Sequence, residues 1–310
     1  RMSESNKTVY VAIGADFGIA VSKFVAAGFT GSSGMLTEGI HSVIDTGITA
    51  LMLVGSKRSA KPPDSGHPFG YGRELYYWTA VVALLLFSVG GGLSVYEGIN
   101  RLIHPHTLES PYWNYGVLLV SACLSVYPFS MAYRQLRRSK PDQTIWRAIR
   151  TSKDPRIFSV LLVDAADLIG VAFAFIGVLL GQLLQSSYPD GIAALVIGLV
   201  LASVAVILAN ESRHLLVGET ADREVVDDIR AIVEADPAVD RAHHPLTMQL
   251  GPEEVLLTLG IRFREALSAA DVGEAVDRMQ QAIREKRPEI KRIFLEVESL
   301  QLHRERSGAR

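Results

Sequence analysis

Two pairs of metal-capable side chains stand in apolar stretches of the sequence. His41 and Asp45 lie four residues apart in "LTEGIHSVIDTGITALMLV", and Asp164 and Asp167 lie three apart in "IFSVLLVDAADLIGVAFAFIG". On a helix, both spacings bring the two side chains to one face. If the two helices face each other, one imidazole nitrogen and three carboxylate oxygens surround a common point. That arrangement is a four-coordinate shell for a divalent transition metal.

Each pair also has a simpler interpretation. A hydrogen bond between His41 and Asp45 within one buried helix explains the first spacing equally well, and Asp167 could accept a hydrogen bond from a hydroxyl such as Ser159 or Ser203. Ionisable groups inside an apolar helix are costly, so they are usually kept for a ligand site, a relay or a pathway. A second acidic pair in a second apolar stretch favours the metal hypothesis.

The helices that carry these residues are predicted to cross a membrane. The 310-residue chain is 48% hydrophobic, with a mean hydropathy of +0.21, and a bilayer crossing needs about 20 mostly apolar residues. Six stretches meet this requirement, at about residues 8–30, 34–56, 75–99, 112–133, 157–183 and 189–211. The first pair falls in the second predicted span and the acidic pair in the fifth.

Basic residues orient this predicted bundle. They are concentrated in the connection after the second span, with Lys57, Arg58, Lys61 and Arg73, and in the connection after the fourth, with Arg134, Arg137, Arg138, Lys140, Arg147, Arg150, Lys153 and Arg156. The positive-inside rule places both connections, and therefore both termini, in the cytoplasm. The N-terminal stretch lacks a small-residue cleavage site, which favours a span over a signal peptide. We expect an integral protein of a bacterial inner membrane.

The character of the sequence changes at about residue 213. Residues 1–213 are predicted to form the six-helix transmembrane domain, and residues 214–310 a small cytoplasmic α+β domain. In the latter, helical periodicity and strand alternation give the order α-β-β-α-β, with a serine cap at Ser268 and a hairpin turn at Gly251 and Pro252. The chain is therefore classed as an α-helical membrane protein with a two-layer α+β tail.

Several function classes are disfavoured by what the sequence contains. Cys123 is the lone cysteine, so it cannot form an internal disulfide, and no CxxC-type zinc motif occurs. The formal charge of −2 gives no indication of nucleic-acid binding. An intramembrane metalloenzyme could use the same four groups, but no HExxH helix is present in any span. No resident cofactor is expected, and the chain is not expected to be an enzyme.

These features together resemble a known family. The run "HSVIDTG", the loop "KPPDSGHPFGYGRELYYW", six spans, two basic connections and the α+β tail are similar to the cation diffusion facilitator family of divalent metal/proton antiporters. The resemblance covers nearly the whole chain. The sequence of the loop is most similar to that of the branch that includes the mitochondrial-type zinc transporters.

The resemblance implies a transport site with two ligands from the second span and two from the fifth. His41 and Asp45 match the first two, and Asp164 matches the last of the other two. The family commonly has His or Asp four residues before Asp164, where this chain has Val160. Asp167 is the candidate substitute.

Two further metal sites are implied by the resemblance. In the loop after the second span, Asp64 and His67 match family ligands, but Tyr71 occupies the position of a second histidine, so a weak site is expected. A tight structural loop shaped by Pro and Gly is the alternative. In the tail, only His243 corresponds to the family's cytoplasmic site. The resemblance also implies a homodimer held by the tail domains.

The mechanism expected of such a site follows from its proton chemistry. Metal binding requires neutral imidazole and ionised carboxylates, so loading releases protons and protonation expels metal. In a site that opens alternately to each side of the bilayer, this linkage gives antiport. The expected cargo is Zn²⁺ leaving the cytoplasm in exchange for protons, with Fe²⁺, Mn²⁺ and Co²⁺ as alternatives. A metal-gated channel that uses the same site is a further alternative.

Overall fold

The structure, a computed structural model, describes residues 17–18, 20–22, 24–25, 33–104, 111–186, 188–265 and 267–297. The chain divides into two compact units. The first, called the membrane unit below, contains the residues up to Lys61 together with Glu74–Arg213. The second, called the C-terminal unit, contains Pro62–Arg73 and the residues from His214 onward. The loop after the second predicted span therefore belongs to the C-terminal unit.

Long helices form the membrane unit where the apolar stretches predict them. In chain order they are α1 Ser33–Ser59, α2 Glu74–Leu85, a π-helical segment Leu86–Gly91, α3 Gly92–Ile103, α4 Pro111–Ser139, α5 Ile145–Thr151, α6 Pro155–Leu184 and α7 Tyr188–Val217. The second predicted span corresponds to α1, and the third runs from α2 through α3. The fourth, fifth and sixth correspond to α4, α6 and α7. Most of the first predicted span lies outside the described residues.

Three stretches of the described residues are long and apolar enough to cross a membrane. They are Glu74–Ile103, Pro155–Leu184 and Tyr188–Val217, each of 30 residues. At 1.5 Å per residue such a helix is about 45 Å long, which exceeds the roughly 30 Å hydrocarbon core. These three helices are candidate membrane spans by length and composition, and the count of six stays a prediction.

Close helix packing in the membrane unit depends on glycines. A Cβ atom on Gly98 of α3 would lie 2.8 Å from the backbone nitrogen of Leu195 and 2.9 Å from the carbonyl oxygen of Gly191 in α7. Gly198, seven residues after Gly191, lies in the same way against Val95. Small residues allow helices in a membrane to approach at backbone distance. Elsewhere, α1 packs along α2, α4 along α6, and α2 also contacts α6.

The C-terminal unit is a two-layer α+β structure. Its elements are α8 Arg223–Glu234, β1 Val239–Ala242, β2 Leu246–Gly251, β3 Glu254–Phe263, α9 Ala269–Lys286 and β4 Ile290–Val297. The central strand β3 pairs with β4 in parallel, and with β1 and β2 in antiparallel orientation. Alternate residues of β3, including Leu257, Leu259 and Ile261, are buried in one core with residues of both helices such as Ile229 and Met279.

One prediction for this unit is wrong in detail. The predicted order α-β-β-α-β has one strand before the hairpin turn, but residues 241–251 are divided between the end of β1 and β2, which gives the order α-β-β-β-α-β. Pro245 has no N–H to donate to the ladder, so pairing is interrupted there. The hairpin turn after Gly251 and the cap at Ser268 are confirmed, because Gly251 pairs with Glu254 and Ser268 forms a capping box with Asp271.

The loop Pro62–Arg73 packs on the sheet of the C-terminal unit. A Cβ atom on Gly72 would lie only 2.4 Å from the carbonyl oxygen of Leu250, so glycine is required at this close approach. The guanidinium of Arg292 in β4 lies 5.4 Å from the ring centroid of Phe69, which is within the distance of a cation–π contact. The Arg73 side chain donates to the sulfur of Met248.

Candidate metal centre

The first predicted ligand pair lies within α1. Both His41 and Asp45 are helical, as their spacing predicts. The Asp45 side chain is half-buried, and the His41 side chain lies outside what the structure describes. Next to Asp45, the Thr46 hydroxyl donates to the carbonyl oxygen of Ser42 at 2.7 Å, so the hydroxyl has its hydrogen-bond partner within the same helix.

The acidic pair lies within α6. This helix begins at Pro155, whose missing N–H costs nothing at a first helical position, and Asp154 caps it by accepting from the backbone N–H of Arg156 at 3.0 Å. Asp164 and Asp167 follow about three turns into the helix, and both are half-buried. Asp167 lies one turn before the buried Gly170, where α6 lies against Ile197 of α7.

Within the described residues, no three His, Cys, Asp or Glu side chains are close enough to hold one metal ion. That set includes Asp45, Asp164 and Asp167 but does not include the side chain of His41. The two site helices each contact α2. The shared four-ligand site therefore stays a prediction.

The two serines named as possible hydrogen-bond donors to Asp167 have other surroundings. The Ser159 hydroxyl is buried and makes no hydrogen bond to any described residue. The Ser203 hydroxyl donates to the carbonyl oxygen of Leu199 at 2.7 Å. Neither serine therefore donates to Asp167. Val160, at the position where the resemblance expects a ligand, has 38% of its surface exposed, so a side chain placed there has room to turn.

The loop residues Asp64 and His67 form a compact turn. Asp64 Oδ1 accepts from the backbone N–H groups of Gly66 at 2.9 Å and His67 at 2.7 Å, and Oδ2 accepts from the Tyr71 hydroxyl at 2.6 Å. The His67 and Tyr71 rings lie 4.2 Å apart, centroid to centroid. Tyr71, at the position where the resemblance implies a histidine, thus donates to the Asp64 carboxylate.

These hydrogen bonds change the acidity of Asp64. The Tyr71 hydroxyl, followed by the His67 backbone N–H, holds the pKa of the Asp64 carboxyl below its usual value. A metal ion would compete with the three donors that already contact this carboxylate. The geometry suits a structural loop, and weak metal binding at Asp64 and His67 stays a prediction.

His243 lies between β1 and β2, at the edge of a cavity of about 430 Å³. Its imidazole packs over Gly260 of β3, where a Cβ atom would lie 3.2 Å from the ring. The cavity is lined by Arg230, Glu234, Val239, Asp240, Arg241, Ala242, His243 and His244. Both of its carboxylates are paired, Glu234 with Arg230 and Asp240 with Arg262. A metal site at His243 stays a prediction.

Sequence reasoning missed a charged cluster inside the membrane unit. Arg101 Nε in α3 donates to Glu97 Oε1 at 2.8 Å, and its Nη1 pairs with the Asp190 carboxylate at the start of α7. All three side chains are at least three-quarters buried. The sequence holds one signal of this cluster. Arg101 is the single Lys or Arg in the first, third and fifth connections between predicted spans. Its partner lies 89 residues away, a pairing that no local pattern predicts.

Apolar helices of membrane-spanning length that carry half-buried acidic residues, followed by an α+β unit, are typical of integral membrane transport proteins. The family model described as "Cation efflux transmembrane domain" matches residues 9–217. The chain therefore belongs to this family, the cation diffusion facilitators.

Similar proteins come from animals and bacteria. The chain is 27% identical to the proton-coupled zinc antiporter SLC30A9, mitochondrial, of Xenopus laevis, a match that covers 89% of this chain and 56% of the relative. It is 25% identical to the manganese efflux system protein MneP of Bacillus subtilis, covering 96% of this chain and 95% of the relative. It is 26% identical to the magnetosome protein MamB of Paramagnetospirillum magneticum, covering 94% and 93%. The chain thus spans little more than half the length of the antiporter that it matches.

Proposed function

We propose that the chain is a secondary transporter that exports a divalent transition metal, in the first place Zn²⁺, from the cytoplasm in exchange for protons. The observation that carries the proposal is the placement of His41 and Asp45 in α1 and of Asp164 and Asp167 in α6 of a cation efflux fold. Neither helix has a Lys or Arg within its apolar stretch. The carboxylates there suit a cation.

Proton exchange follows from the donor set. Each of these groups binds either a metal ion or a proton, so the two compete for the same lone pairs. A higher proton concentration on the outer side protonates the open site and releases the metal there. The relative from Xenopus laevis is named a proton-coupled zinc antiporter, which supports this assignment for the present chain.

The choice of metal depends on the donor set. One imidazole with carboxylates suits Zn²⁺, whereas oxygen-rich sites also accept Mn²⁺, Fe²⁺ and Co²⁺. Replacement of a family ligand by Val160, with Asp167 as substitute, makes this site richer in oxygen. The Bacillus subtilis relative, named a manganese efflux protein, matches along nearly its whole length. Manganese is therefore the second candidate cargo.

The deciding experiment measures metal uptake into vesicles that contain the purified chain, with Zn²⁺, Mn²⁺, Fe²⁺ or Co²⁺ and an imposed pH gradient. We expect uptake to follow the proton gradient and to stop when the gradient is dissipated by an ionophore. A metal-gated channel would conduct without a proton gradient, and an enzyme would make product without flux. Either outcome would overturn the proposal.

The role of Asp167 has its own test in the same assay. We expect Asp167→Asn to lower uptake by about 10-fold or more, since even residues that only support a ligand carry 10–100-fold in affinity. A second change, Val160→Asp, should restore part of the activity by supplying a carboxylate one turn before Asp164. Asp142→Asn, in an exposed turn, is the matched control. Full activity of Asp167→Asn would remove this residue from the site.

A further inference from the structure

The connection between α4 and α6 is a basic, ordered surface segment. Residues 134–156 contain eight Lys or Arg and two Asp, a net charge of +6. Within this segment α5 is fixed on one side by Ala148 and Ile149, which are buried. The Lys140 ammonium donates to the carbonyl oxygen of Thr151 at 2.7 Å and so satisfies the end of α5.

The loop before α5 is also held in place. The Arg137 guanidinium donates to the carbonyl oxygen of Gln143 at 3.0 Å, and the Thr151 hydroxyl donates to the Gln143 side chain at 2.8 Å. Arg137 and Lys140 are therefore used within the loop, and Arg156 is paired with Asp154. These three cations serve the fold rather than a ligand.

The exposed surface of α5 presents apolar and basic side chains together. Ile145, Trp146, Arg147 and Arg150 are all exposed, Trp146 to 47%. We call these four residues the Trp146 patch. The Arg150 guanidinium carbon lies 5.1 Å from the centroid of the Trp146 ring, so the indole and a cation form one surface. In the described part of the chain, no carboxylate pairs with Arg147 or Arg150.

The position of this patch along the chain places it at the bilayer surface. Only three residues, 152–154, separate α5 from Pro155, the first residue of a candidate span. A 30-residue helix such as α6 is about 45 Å long, which equals the bilayer with its head groups, so its first residue lies at head-group level. Tryptophan is favoured at this interface, and arginine pairs with phosphate there.

We propose that the Trp146 patch binds anionic phospholipid, with Trp146 and Ile145 in the boundary between head groups and acyl chains and with Arg147 and Arg150 on the lipid phosphate. The occupant follows from charge complementarity and from the adjacent span. Such an anchor would fix the first turns of α6, the helix that carries Asp164 and Asp167. The proposal does not depend on which metal is transported.

Native mass spectrometry of the full chain in detergent tests the arginines. We expect phosphatidylglycerol to be retained and phosphatidylcholine to be lost, with retention falling about fivefold for each arginine removed in Arg147→Gln and Arg150→Gln, the factor for one basic side chain at an anionic surface. The control is Arg223→Gln/Arg284→Gln, two exposed arginines of α8 and α9. Equal loss in the control, unchanged retention in the α5 variants, or displacement of the lipid by inorganic phosphate would overturn the proposal.

Fluorescence tests the indole without removing a charge. The full chain is reconstituted in vesicles of phosphatidylcholine and phosphatidylglycerol, and the spectrum of Trp146→Phe is subtracted to isolate Trp146. We expect lipids brominated at the head-group end of the acyl chain to quench this difference signal more than lipids brominated at the methyl end. A signal quenched only by aqueous iodide would place the patch in water, where a protein partner rather than lipid would have to cover it.

Discussion

Two sets of charged residues inside the membrane unit differ in how their charge is balanced. At the junction of α3 and α7, Arg101 lies between the carboxylates of Glu97 and Asp190, so a guanidinium of this chain supplies the positive charge. The second set, on α1 and α6, brings three carboxylates and one imidazole, and no Lys or Arg occurs in either apolar stretch. The first set contains a cation of its own, whereas the second contains none and favours a cation from outside.

The largest effect is expected where the acidic set loses a carboxylate. Asp164→Asn or Asp45→Asn should lower metal uptake by about 100-fold or more, because removing a ligand costs more than the 10–100-fold of a supporting residue. Uptake into vesicles under a fixed pH gradient measures this. Thermal unfolding of the same variants checks that a loss of uptake is not a loss of the fold.

The comparison would fail if these variants transported normally while the chain stayed folded. Asp142→Asn is again the control, because it removes one carboxylate from an exposed turn.

His67→Ala should reduce uptake without abolishing it. The Tyr71 hydroxyl still donates to the Asp64 carboxylate and holds this loop in place.

A smaller effect, on stability rather than on transport, is expected at the Arg101 cluster. Arg101→Gln leaves two largely buried carboxylates without their cation, and we expect the free energy of unfolding to fall by about 2–3 kcal/mol, below the 3–5 kcal/mol of a fully buried pair. Thermal or denaturant unfolding of the purified chain measures the change. The pH dependence of transport should not move.

Two variants sharpen this prediction. Arg101→Lys keeps the charge and should recover part of the stability, and Arg101→Gln/Asp190→Asn should be more stable than Arg101→Gln alone, because fewer charges remain uncompensated. If Arg101→Gln instead altered the proton dependence of uptake, this cluster would belong to the transport pathway and the distinction between the two sets would be lost.

What the sequence predicts well is local. The cap at Ser268 and the turn after Gly251 depend on neighbours within three residues, and both are confirmed. The positions of α1 and α6 follow from apolar length alone. The break before β2 also has a local signal, because Pro245 cannot donate a hydrogen bond within a strand. The alternation of the surrounding residues predicts a continuous strand and hides this signal.

What the sequence does not predict is pairing between distant segments. Arg101 and Asp190 are 89 residues apart, and the contact depends on Gly98 and Gly191 letting α3 and α7 approach at backbone distance. Helical spacing assigns His41 and Asp45 to one face, and likewise Asp164 and Asp167. Helical spacing does not determine how the two helices are rotated toward each other. The shared site is therefore a hypothesis about how α1 and α6 pack.

The smallest effect on stability is expected at Asp228 of the C-terminal unit, which pairs with Lys286 and Arg287. Hydrogen bonds from Lys286 and Arg287 hold the pKa of the Asp228 carboxyl below its ordinary 3.8. A carboxyl with a lowered folded pKa stabilises the fold above its unfolded pKa, and that contribution is lost as the pH falls through the folded value. Asp228→Asn should therefore speed amide hydrogen exchange in α8 at neutral pH but not well below pH 3.8. Asp277→Asn, an exposed carboxyl on α9, should have no such effect. Equal behaviour of the two variants would mean that the pairing of Asp228 with Lys286 and Arg287 contributes nothing measurable to stability.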